Sequence, residues 1–449
     1  MFGSFCCYRG SMARADDDCP IENITDDALC PIEKLTDDAL LIIFSFLTNE
    51  EKCKIARVCQ RFRRLAQDGS LWRYIDVHHA LGQQIKAFLQ RYTCQATKYL
   101  KLGHVNHTIL QVIHHRCPNL LQLSLTMGSG DTDLSMIPTN LVWLYVALVK
   151  EESLQLQSYS RKGVQIQRLW EAPLVCLEYL SVKGGIINDM VCERLSGSHA
   201  LRQLRFDYSA ITASVECQKD ILRQVEMLEI HDCRFKSSDA FYNMCDIVGH
   251  SSNLKGLELC DPSFSEPLPI GSISLDNLFQ AMSGHCSLVL LSVNGPGFFT
   301  FREASLVQLL QNLHDLEILS FVYCQDVGDQ VLSAIQVGAK NLKVLNLFGN
   351  RCITEAGFEL LRDHPTLLAL SVGSCMKLQP LVILQIAATI PNLILLGMST
   401  RGQDIKIELA QFESEHPNVS IEFSYDQWVG QVERITQVVS EYEMKQFIH

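Results

Sequence analysis

The chain has 449 residues, of which 47% are apolar and 20% charged, and its net charge is −12 at pH 7. This composition is typical of a globular protein, and the acidic excess disfavours general binding to the phosphate backbone of nucleic acids. A run of roughly 18 apolar residues does not occur, so the sequence predicts no membrane-spanning helix and no membrane partner. A chain this long exceeds one compact core unless it is built from repeats.

The cysteines and the chain ends give expectations about compartment and cofactors. Eighteen cysteines are spread along the chain without any C-x-x-C pair, and the first residues lack the apolar core of a signal peptide. We therefore expect reduced thiols and a cytoplasmic or nuclear protein. His114, His115 and Cys117 come nearest to a metal cluster, but adjacent histidines cannot easily reach one ion from the same helix face. We expect no metal site and no cofactor, and residues 1–24 are predicted to form a flexible tail.

The first strong helix signal covers residues 35–47. Thr36 is a good N-cap, and the two aspartates that follow it complement the helix dipole. Apolar side chains recur at i, i+3, i+4 and i+7 and share one face, namely Leu40, Ile43, Phe44 and Leu47. An earlier copy of the TDDAL motif, at residues 25–29, runs into Cys30-Pro31 and is not expected to form a helix.

A second, basic amphipathic helix is predicted over residues 51–65, with Asn49 as its cap. Its apolar face contains Ile55, Val58, Cys59, Phe62 and Leu65. The basic run from Arg57 to Arg64 is predicted to form a solvated face or the rim of a protein contact. Leu71 and Trp72 close this part of the chain.

This order of helices and apolar anchors resembles the F-box, a three-helix module that would occupy residues 31–77. The resemblance implies that the module docks a target-binding domain onto the Skp-family adaptor of a cullin-RING ubiquitin ligase. It assigns adaptor binding to Leu40, Ile43, Phe44, Leu47, Val58, Cys59, Phe62, Leu65, Leu71 and Trp72. The sequence departs from the usual pattern at Thr36, Cys53 and Phe62, where the family usually has proline, leucine and often tryptophan. An ordinary helical hairpin would show the same two amphipathic faces, but the spacing to Leu71-Trp72 and the repeats behind it favour the F-box.

From about residue 97 the pattern L-x-x-L-x-L recurs, mostly at the 20–29-residue period of leucine-rich repeats. The first anchors are Thr97, Leu120, Leu141, Leu177, Leu201, Val225, Leu254, Leu288, Leu316, Leu342, Leu367 and Leu393. Each unit is predicted to form a short strand and a returning helix. The expected fold class is α/β, with an N-terminal three-helix F-box followed by a leucine-rich-repeat solenoid of about 12 repeats over residues 78–424. That solenoid would be a right-handed horseshoe, with parallel strands inside and helices outside. A last strand near 419–423 and a C-terminal capping helix or tail, residues 425–449, are expected to close it.

The ninth repeat position carries a small polar side chain in four copies, namely Cys233, Cys324, Asn350 and Cys375. This resembles the cysteine-containing leucine-rich repeat of F-box proteins. A small group there can hydrogen-bond the backbone of the turn while pointing inward. We expect these thiols to be buried, with raised pKa values, and therefore chemically inert.

Side chains beside the anchor leucines should point to the concave face, because strand residues alternate. The predicted target-binding residues are Trp143, Tyr145, Arg205, His231, Val322, Val344 and Phe348. An equally weighted alternative is that the C-terminal tail covers the late apolar part of this face. Two polar insertions, 150–167 and 261–275, are alternative binding loops.

The sequence shows no G-x-S-x-G motif, phosphate-binding loop or nucleophile with a partner, so no catalytic residue is predicted and the chain is not expected to be an enzyme. The resemblance implies a substrate-recognition subunit of an SCF-type ubiquitin ligase. Its partners would be the Skp-family adaptor, the cullin-RING scaffold indirectly, and an unknown protein target. A non-degradative interaction scaffold is the main alternative, and a small-molecule co-receptor is a weaker one.

Overall fold

The computed structural model describes residues 32, 34–79, 82–128, 133–149, 164–166, 168, 173–265, 268–269, 271–284, 287–295, 299–400 and 402–432. The chain divides into two compact units, Met1–Leu71 and Trp72–His449. The predicted tail and most of the predicted insertion at 150–167 lie outside the described residues. In the ranges described, no helix is long and apolar enough to cross a lipid bilayer.

The first unit contains three short helices, α1 (Asp37–Ser45), α2 (Asn49–Ile55) and α3 (Gln60–Leu65). Thr36 caps α1 as predicted, because its hydroxyl accepts a hydrogen bond from the amide of Ala39 at 3.2 Å. A 3-10 helix, Gly69–Trp72, follows α3.

The single helix predicted over residues 51–65 is wrong, because two helices occupy that range. Cys59 has an extended backbone, and its sulfur accepts from the amide of Phe62 at 3.4 Å, so that α3 begins at Gln60. The predicted cap at Asn49 is also wrong. Thr48 caps α2 through a capping box with Glu51, in which each side chain bonds the other residue's backbone amide.

The second unit is built on one parallel sheet of fourteen strands. Its strands, in order across the sheet, are β1 (Tyr74–Val77), β2 (Tyr99–His104), β3 (Gln122–Gly128), β4 (Trp143–Val149), β5 (Tyr179–Lys183), β7 (Gln203–Asp207), β9 (Met227–His231), β11 (Gly256–Cys260), β14 (Leu290–Asn294), β16 (Ile318–Val322), β17 (Val344–Asn346), β18 (Ala369–Ser371), β19 (Leu395–Gly397) and β20 (Ser420–Glu422). Twelve of them are the predicted repeat strands, and β20 confirms the expected last strand. The sheet starts one strand earlier than the repeats indicated, because β1 pairs with β2 inside the range assigned to the F-box.

Shorter strands follow several of the main strands. One four-stranded sheet contains β6 (Ile186–Ile187), β8 (Ala210–Ile211), β10 (Arg234–Phe235) and β12 (Ser263–Phe264), and a two-stranded sheet pairs β13 (Ile273–Ser274) with β15 (Phe299–Thr300). Strands β12 and β13 lie in the insertion predicted at 261–275, so part of that insertion is ordered sheet.

Helices form the return path of most repeats, and neighbouring helices pack against each other. They are α4 (Gly82–Tyr92), α5 (His107–Arg116), α6 (Asp189–Ser196), α7 (Val215–Gln224), α8 (Ser238–Gly249), α9 (Asp276–Met282), α10 (Glu303–Leu310), α11 (Asp329–Gly338), α12 (Glu355–Phe358), α13 (Pro380–Ala387) and α14 (Lys406–Glu415). The 36 anchor side chains of the twelve repeats are each at most 5% exposed. The core of this unit is therefore continuous from repeat to repeat, and no single repeat could bury its leucines alone.

The ninth-position side chains point inward as predicted, and Cys233, Cys324 and Asn350 bond the backbone of their own repeat. They also join successive repeats, which the sequence did not indicate. Each donates a hydrogen bond to the carbonyl of the last anchor in the preceding repeat: Cys233 to Phe206, Cys324 to Val293, Asn350 to Phe321 and Cys375 to Leu347. Burial raises the pKa of the three thiols to about 12, which confirms that they are held in the unreactive protonated form.

Replacing Asn350 should show how much this cross-repeat contact contributes. Its amide donates at 2.7 Å to the Phe321 carbonyl and at 2.9 Å to the Leu347 carbonyl, and the residue is fully buried. Asn350→Ala leaves both carbonyls without this donor and should lower the free energy of unfolding by about 2 kcal/mol. Asn350→Cys restores the donor used by other repeats, so it should lower the free energy of unfolding clearly less than Asn350→Ala does. Urea denaturation of the full chain followed by circular dichroism measures both, and equal losses would contradict the assignment.

Candidate functional site

The N-terminal unit has a filled core of its own. Leu40 and Phe44 of α1 and Phe62 and Leu65 of α3 are buried. The rings of Phe44 and Phe62 meet edge to face at 5.2 Å, an arrangement that stabilises beyond the buried area alone. The four residues that gave α1 and α3 their periodic apolar pattern therefore hold the helices together.

Two arginines of the basic run are tied to α1 and do not form a free solvated face. Nε of Arg61 donates to Oδ1 of Asp37 at 2.8 Å, and Arg64 pairs with the other carboxylate oxygen at 2.5 Å. Arg61 also donates to the carbonyl of Leu35. One aspartate in the first turn of α1 thus fixes α3, and it is the same aspartate that complements the dipole of its own helix.

Among the described residues of this unit, five large apolar side chains are exposed: Ile32, Ile42, Ile43, Phe46 and Val58. Ile42, Ile43, Phe46 and Val58 are called the apolar patch. Phe46 is 83% exposed and Val58 is 67% exposed. Ile42, Ile43 and Phe46 follow i, i+1 and i+4 spacing on α1 and so share one side of the helix, whereas Leu40 and Phe44 pack inward. Exposed apolar groups concentrated on so small a unit indicate a surface that another protein covers.

The residues predicted to contact an adaptor separate into two groups. Ile43, Val58 and Cys59 are exposed and Leu47 is partly exposed, whereas Leu40, Phe44, Phe62, Leu65, Leu71 and Trp72 are buried. The prediction of an adaptor-facing surface is therefore wrong for the six buried residues. Leu40, Phe44, Phe62 and Leu65 pack between α1 and α3, and Trp72 packs on the rings of Phe88 and Tyr92. Ile42 and Phe46 were missed, and their only sequence signal is that they are apolar residues off the periodic face.

In the second unit, the side chains that point away from the anchor leucines form what we call the front face of the sheet. Apart from an irregularity between Lys101 and His104 where β2 meets β3, each strand pairs in register with the next, so residues at the same repeat position lie in rows across the sheet. One row contains Tyr145, Ser181, Arg205, Glu229, Glu258, Ser292, Ser320 and Asn346. The predicted target-binding residues of β4, β7 and β9 all lie on this face.

The early strands place aromatic rings on the front face. Trp143 stacks on Tyr179 with ring centroids 5.1 Å apart, and its ring lies 6.3 Å from that of Tyr145. On the first two strands of the sheet, β1 and β2, the rings of Tyr74 and Tyr99 lie 6.1 Å apart. These half-buried to exposed rings give a rigid apolar surface of the kind that is enriched at protein interfaces.

The middle strands carry what we call the charged cluster, formed by Arg205, Asp207, Glu229, His231 and Glu258. Arg205 donates from Nη1 to Glu229 at 2.8 Å and from Nε to Asp207 at 2.9 Å. Nδ1 of His231 lies 3.3 Å from Oδ1 of Asp207, and Nε2 lies 3.5 Å from Oε2 of Glu258. Strand register brings together five ionisable groups that the sequence spreads over more than fifty residues.

Burial and pairing act in opposite directions on the pKa values of this cluster. Burial opposes protonation of His231, but the contacts with Asp207 and Glu258 outweigh it and raise the pKa of His231 to about 9. Burial alone would raise the pKa of Asp207, and its hydrogen bonds with His231 and Arg205 lower it instead. For Glu229 burial is the stronger effect, so its pKa is raised even though Arg205 is close.

The late strands of the front face are covered by the chain itself. Residues 425–432 are helical and are called the C-terminal segment. Trp428 is only 2% exposed and packs on Val344, Ala369 and Leu395, which lie side by side on β17, β18 and β19. A Cβ atom on Gly397 would come within 2.7 Å of the indole, so the missing side chain there permits this close packing.

This covering decides between the two alternatives that the sequence left open for the late strip. Val344 is 3% exposed and Val322 is 5% exposed, so the prediction that they form an open binding surface is wrong. For Val344 the reason is the indole of Trp428. Phe348 is half-buried, and its ring lies 4.7 Å from that of Tyr425 in the C-terminal segment. Trp143, Tyr145, Arg205 and His231 lie outside this covered part and keep partial exposure.

Comparison with known proteins shows what these two units resemble. Residues 33–78 match the F-box-like family model. Human and mouse F-box/LRR-repeat protein 12 are each 31% identical over 110 residues, which is 22% of this chain and 32% of the relative. The match thus spans about a third of the length of these curated relatives. The chain is thus similar to F-box and leucine-rich-repeat proteins over its N-terminal match.

The F-box match falls on the helical unit that carries the apolar patch and extends into β1. The crystal structure of the yeast Rad7 and Elc1 complex has a similar chain, with a TM-score of 0.50 and 15% identity over 87% of this chain and 94% of that one. That likeness supports the leucine-rich-repeat fold. Proteins of the F-box and leucine-rich-repeat family are generally non-catalytic adaptors.

The contact of Trp428 with the repeat strands can be tested by substitution. Trp428→Ala removes the one large side chain of the C-terminal segment that is fully packed on β17–β19 and should weaken its attachment by about 3 kcal/mol. We expect faster amide hydrogen exchange in residues 425–432 and increased binding of an apolar dye to the uncovered strip. Gln427→Ala, an exposed neighbour on the same helix, should change neither. Unchanged exchange in Trp428→Ala would contradict the covering role.

Proposed function

We propose that this protein is the substrate-recognition subunit of an SCF-type ubiquitin ligase. The F-box unit binds the Skp-family adaptor through the apolar patch, and the cullin-RING scaffold is reached through that adaptor. The open part of the front face binds a protein target. The chain itself supplies no catalytic group. It holds a lysine of the target near the ubiquitin donor and so raises its effective concentration.

The observation that carries the proposal is the exposure of the apolar patch on a unit that matches the F-box-like family. The helical core is already complete without Phe46 and Val58, so these side chains do not stabilise the unit by packing within it. Exposed apolar side chains cost solubility and are expected where a partner buries them. A chain of the yeast Rad7 and Elc1 complex has a similar fold, which is consistent with a chain of this fold acting in a complex.

Two features favour the early and middle strands as the target surface. They present rigid stacked rings beside ionised groups, which is the composition of protein-binding surfaces. The late strands are already occupied by the C-terminal segment. We further propose that the protein acts in the cytoplasm or nucleus. Buried thiols such as those of Cys233 and Cys375 donate hydrogen bonds, which favours a reducing compartment.

Adaptor binding is tested with surface substitutions, because Phe44 is 2% exposed and its loss would unfold the unit. Phe46→Asp and Val58→Asp should each weaken binding of the purified full chain to a purified Skp-family adaptor by about 30-fold, the effect of losing a contact worth about 2 kcal/mol. Isothermal titration calorimetry gives the affinities.

The matched control is Ile407→Asp on α14, which places the same charge at another apolar side chain that is 81% exposed. It should bind the adaptor as the unchanged chain does. Equal binding by all variants, with the F-box unit folded by circular dichroism, would overturn the adaptor assignment.

Target recognition is tested by turnover in cells that lack the chain. Proteins that accumulate on depletion should be destabilised again by the unchanged chain but not by Trp143→Ala, which removes the stacked ring of β4 and should weaken target binding about 30-fold. Adaptor binding of this variant should be normal. Val337→Ala, an exposed apolar residue of α11, is the control and should restore turnover. If the chain binds the adaptor but no protein changes its turnover on depletion, the chain is a non-degradative scaffold instead.

A further inference from the structure

Three potential metal ligands meet inside the charged cluster. One ligand atom each from His231, Glu258 and Cys260 can be chosen so that all lie within 4.8 Å of one another. Strand register explains the meeting, because His231 of β9 pairs with Cys260 of β11, and Glu258 precedes Cys260 by two residues and so points to the same face. His231 is separated along the sequence from Glu258 and Cys260 by more residues than in the usual metal-binding motifs, so sequence spacing did not indicate this site.

The imidazole of His231 is held in an orientation suited to metal binding. Its Nδ1 lies 3.3 Å from Asp207, while Nε2 is directed toward Glu258 at 3.5 Å. Nε2 is buried and its contact with Glu258 does not have the geometry of a good hydrogen bond. A carboxylate behind one ring nitrogen, with the second nitrogen facing another potential ligand, is compatible with metal binding at that second nitrogen.

We propose that His231, Glu258 and Cys260 bind one Zn²⁺ ion on the front face, with Asp207 orienting the imidazole. This site is independent of adaptor binding by the F-box unit. Nitrogen, oxygen and sulfur donors in one set are typical of zinc. Three protein ligands leave a fourth position, and all three residues are partly exposed, so water or a side chain of a bound target can reach that position.

The distances require only side-chain adjustment. Ligand atoms around one tetrahedral zinc ion lie roughly 3.3–3.8 Å apart. The separation of 3.5 Å between His231 and Glu258 is already in this range, and the Cys260 sulfur lies 3.9 Å from the other oxygen of Glu258. A rotation of the Glu258 carboxylate and a small movement of the thiol would bring the three donors to one ion.

Neighbouring polar groups support the same ligands. The amide of Asn294 lies 3.1 Å from the Cys260 sulfur, and the hydroxyl of Ser292 donates to Glu258 at 3.2 Å. The three carboxylates of Asp207, Glu229 and Glu258 face Arg205 and, one strand further, Lys183.

The competing explanation is that these groups form an ion-pair network and bind no metal. Titration of the metal-stripped full chain, purified with its adaptor if needed for solubility, with Zn²⁺ alone separates the two. We expect one equivalent to bind, and we expect Co²⁺ in its place to give a thiolate-to-metal charge-transfer band. Cys260→Ser should abolish that band. Glu258→Gln and Asp207→Asn should each weaken metal binding at least about tenfold.

Cys217→Ser is the matched control, because it removes a partly buried thiol on α7 and should leave both the band and the affinity unchanged. Circular dichroism checks that each variant is folded. If Cys260→Ser does not fold, the metal affinity of Glu258→Gln tests the site independently. Absence of stoichiometric binding, or a cobalt spectrum that Cys260→Ser does not change, would overturn the proposal in favour of the ion-pair network.

Discussion

The in-register pairing of fourteen parallel strands is the constraint on which the rest of the repeat unit depends. A single repeat cannot bury its three anchor side chains, so it is stable only when its neighbours supply the other walls of the core. The same register that aligns the leucines on one side aligns the variable residues on the other. The stacked aromatic rings, the charged cluster and the covered apolar strip are three consecutive parts of the front face, and each exists because neighbouring strands do not slip.

The features predicted correctly from sequence are those set within a repeat or between adjacent repeats. The L-x-x-L-x-L pattern located twelve strands, and the small side chains at the ninth position bond the backbone of the turn as expected, as Asn350 does with the Leu347 carbonyl. Exposure on the front face could not be predicted in the same way. Val344 is buried by Trp428, and the nearby bond between Asn346 and Tyr425 joins residues 79 positions apart. Periodicity within a repeat contains no information about so distant a segment.

The F-box unit shows a different limit of pattern reasoning. Amphipathic periodicity identified core and surface residues together: Leu40, Phe44, Phe62 and Leu65 are buried, whereas Ile43 and Val58 are exposed. The apolar patch combines Ile43 and Val58 with Ile42 and Phe46, which the periodic pattern leaves out. The break between α2 and α3 was missed for a local reason, since the sulfur of Cys59 can act as a helix cap and the sequence pattern continues across it.

The charged cluster and the C-terminal segment are connected by short polar side chains. Successive hydrogen bonds run from Glu258 to Ser292, Asn294, Ser320, Asn346 and finally Tyr425. Buried polar groups are stable only when each finds a partner, so this chain of bonds requires both the strand register and the seated segment. Tyr425 is the last residue in this series of hydrogen bonds, and its own ring packs on Phe348. Detaching the segment would therefore remove a polar partner from Asn346 at the same time as it uncovers the apolar strip, which favours a segment that is either fully seated or fully released.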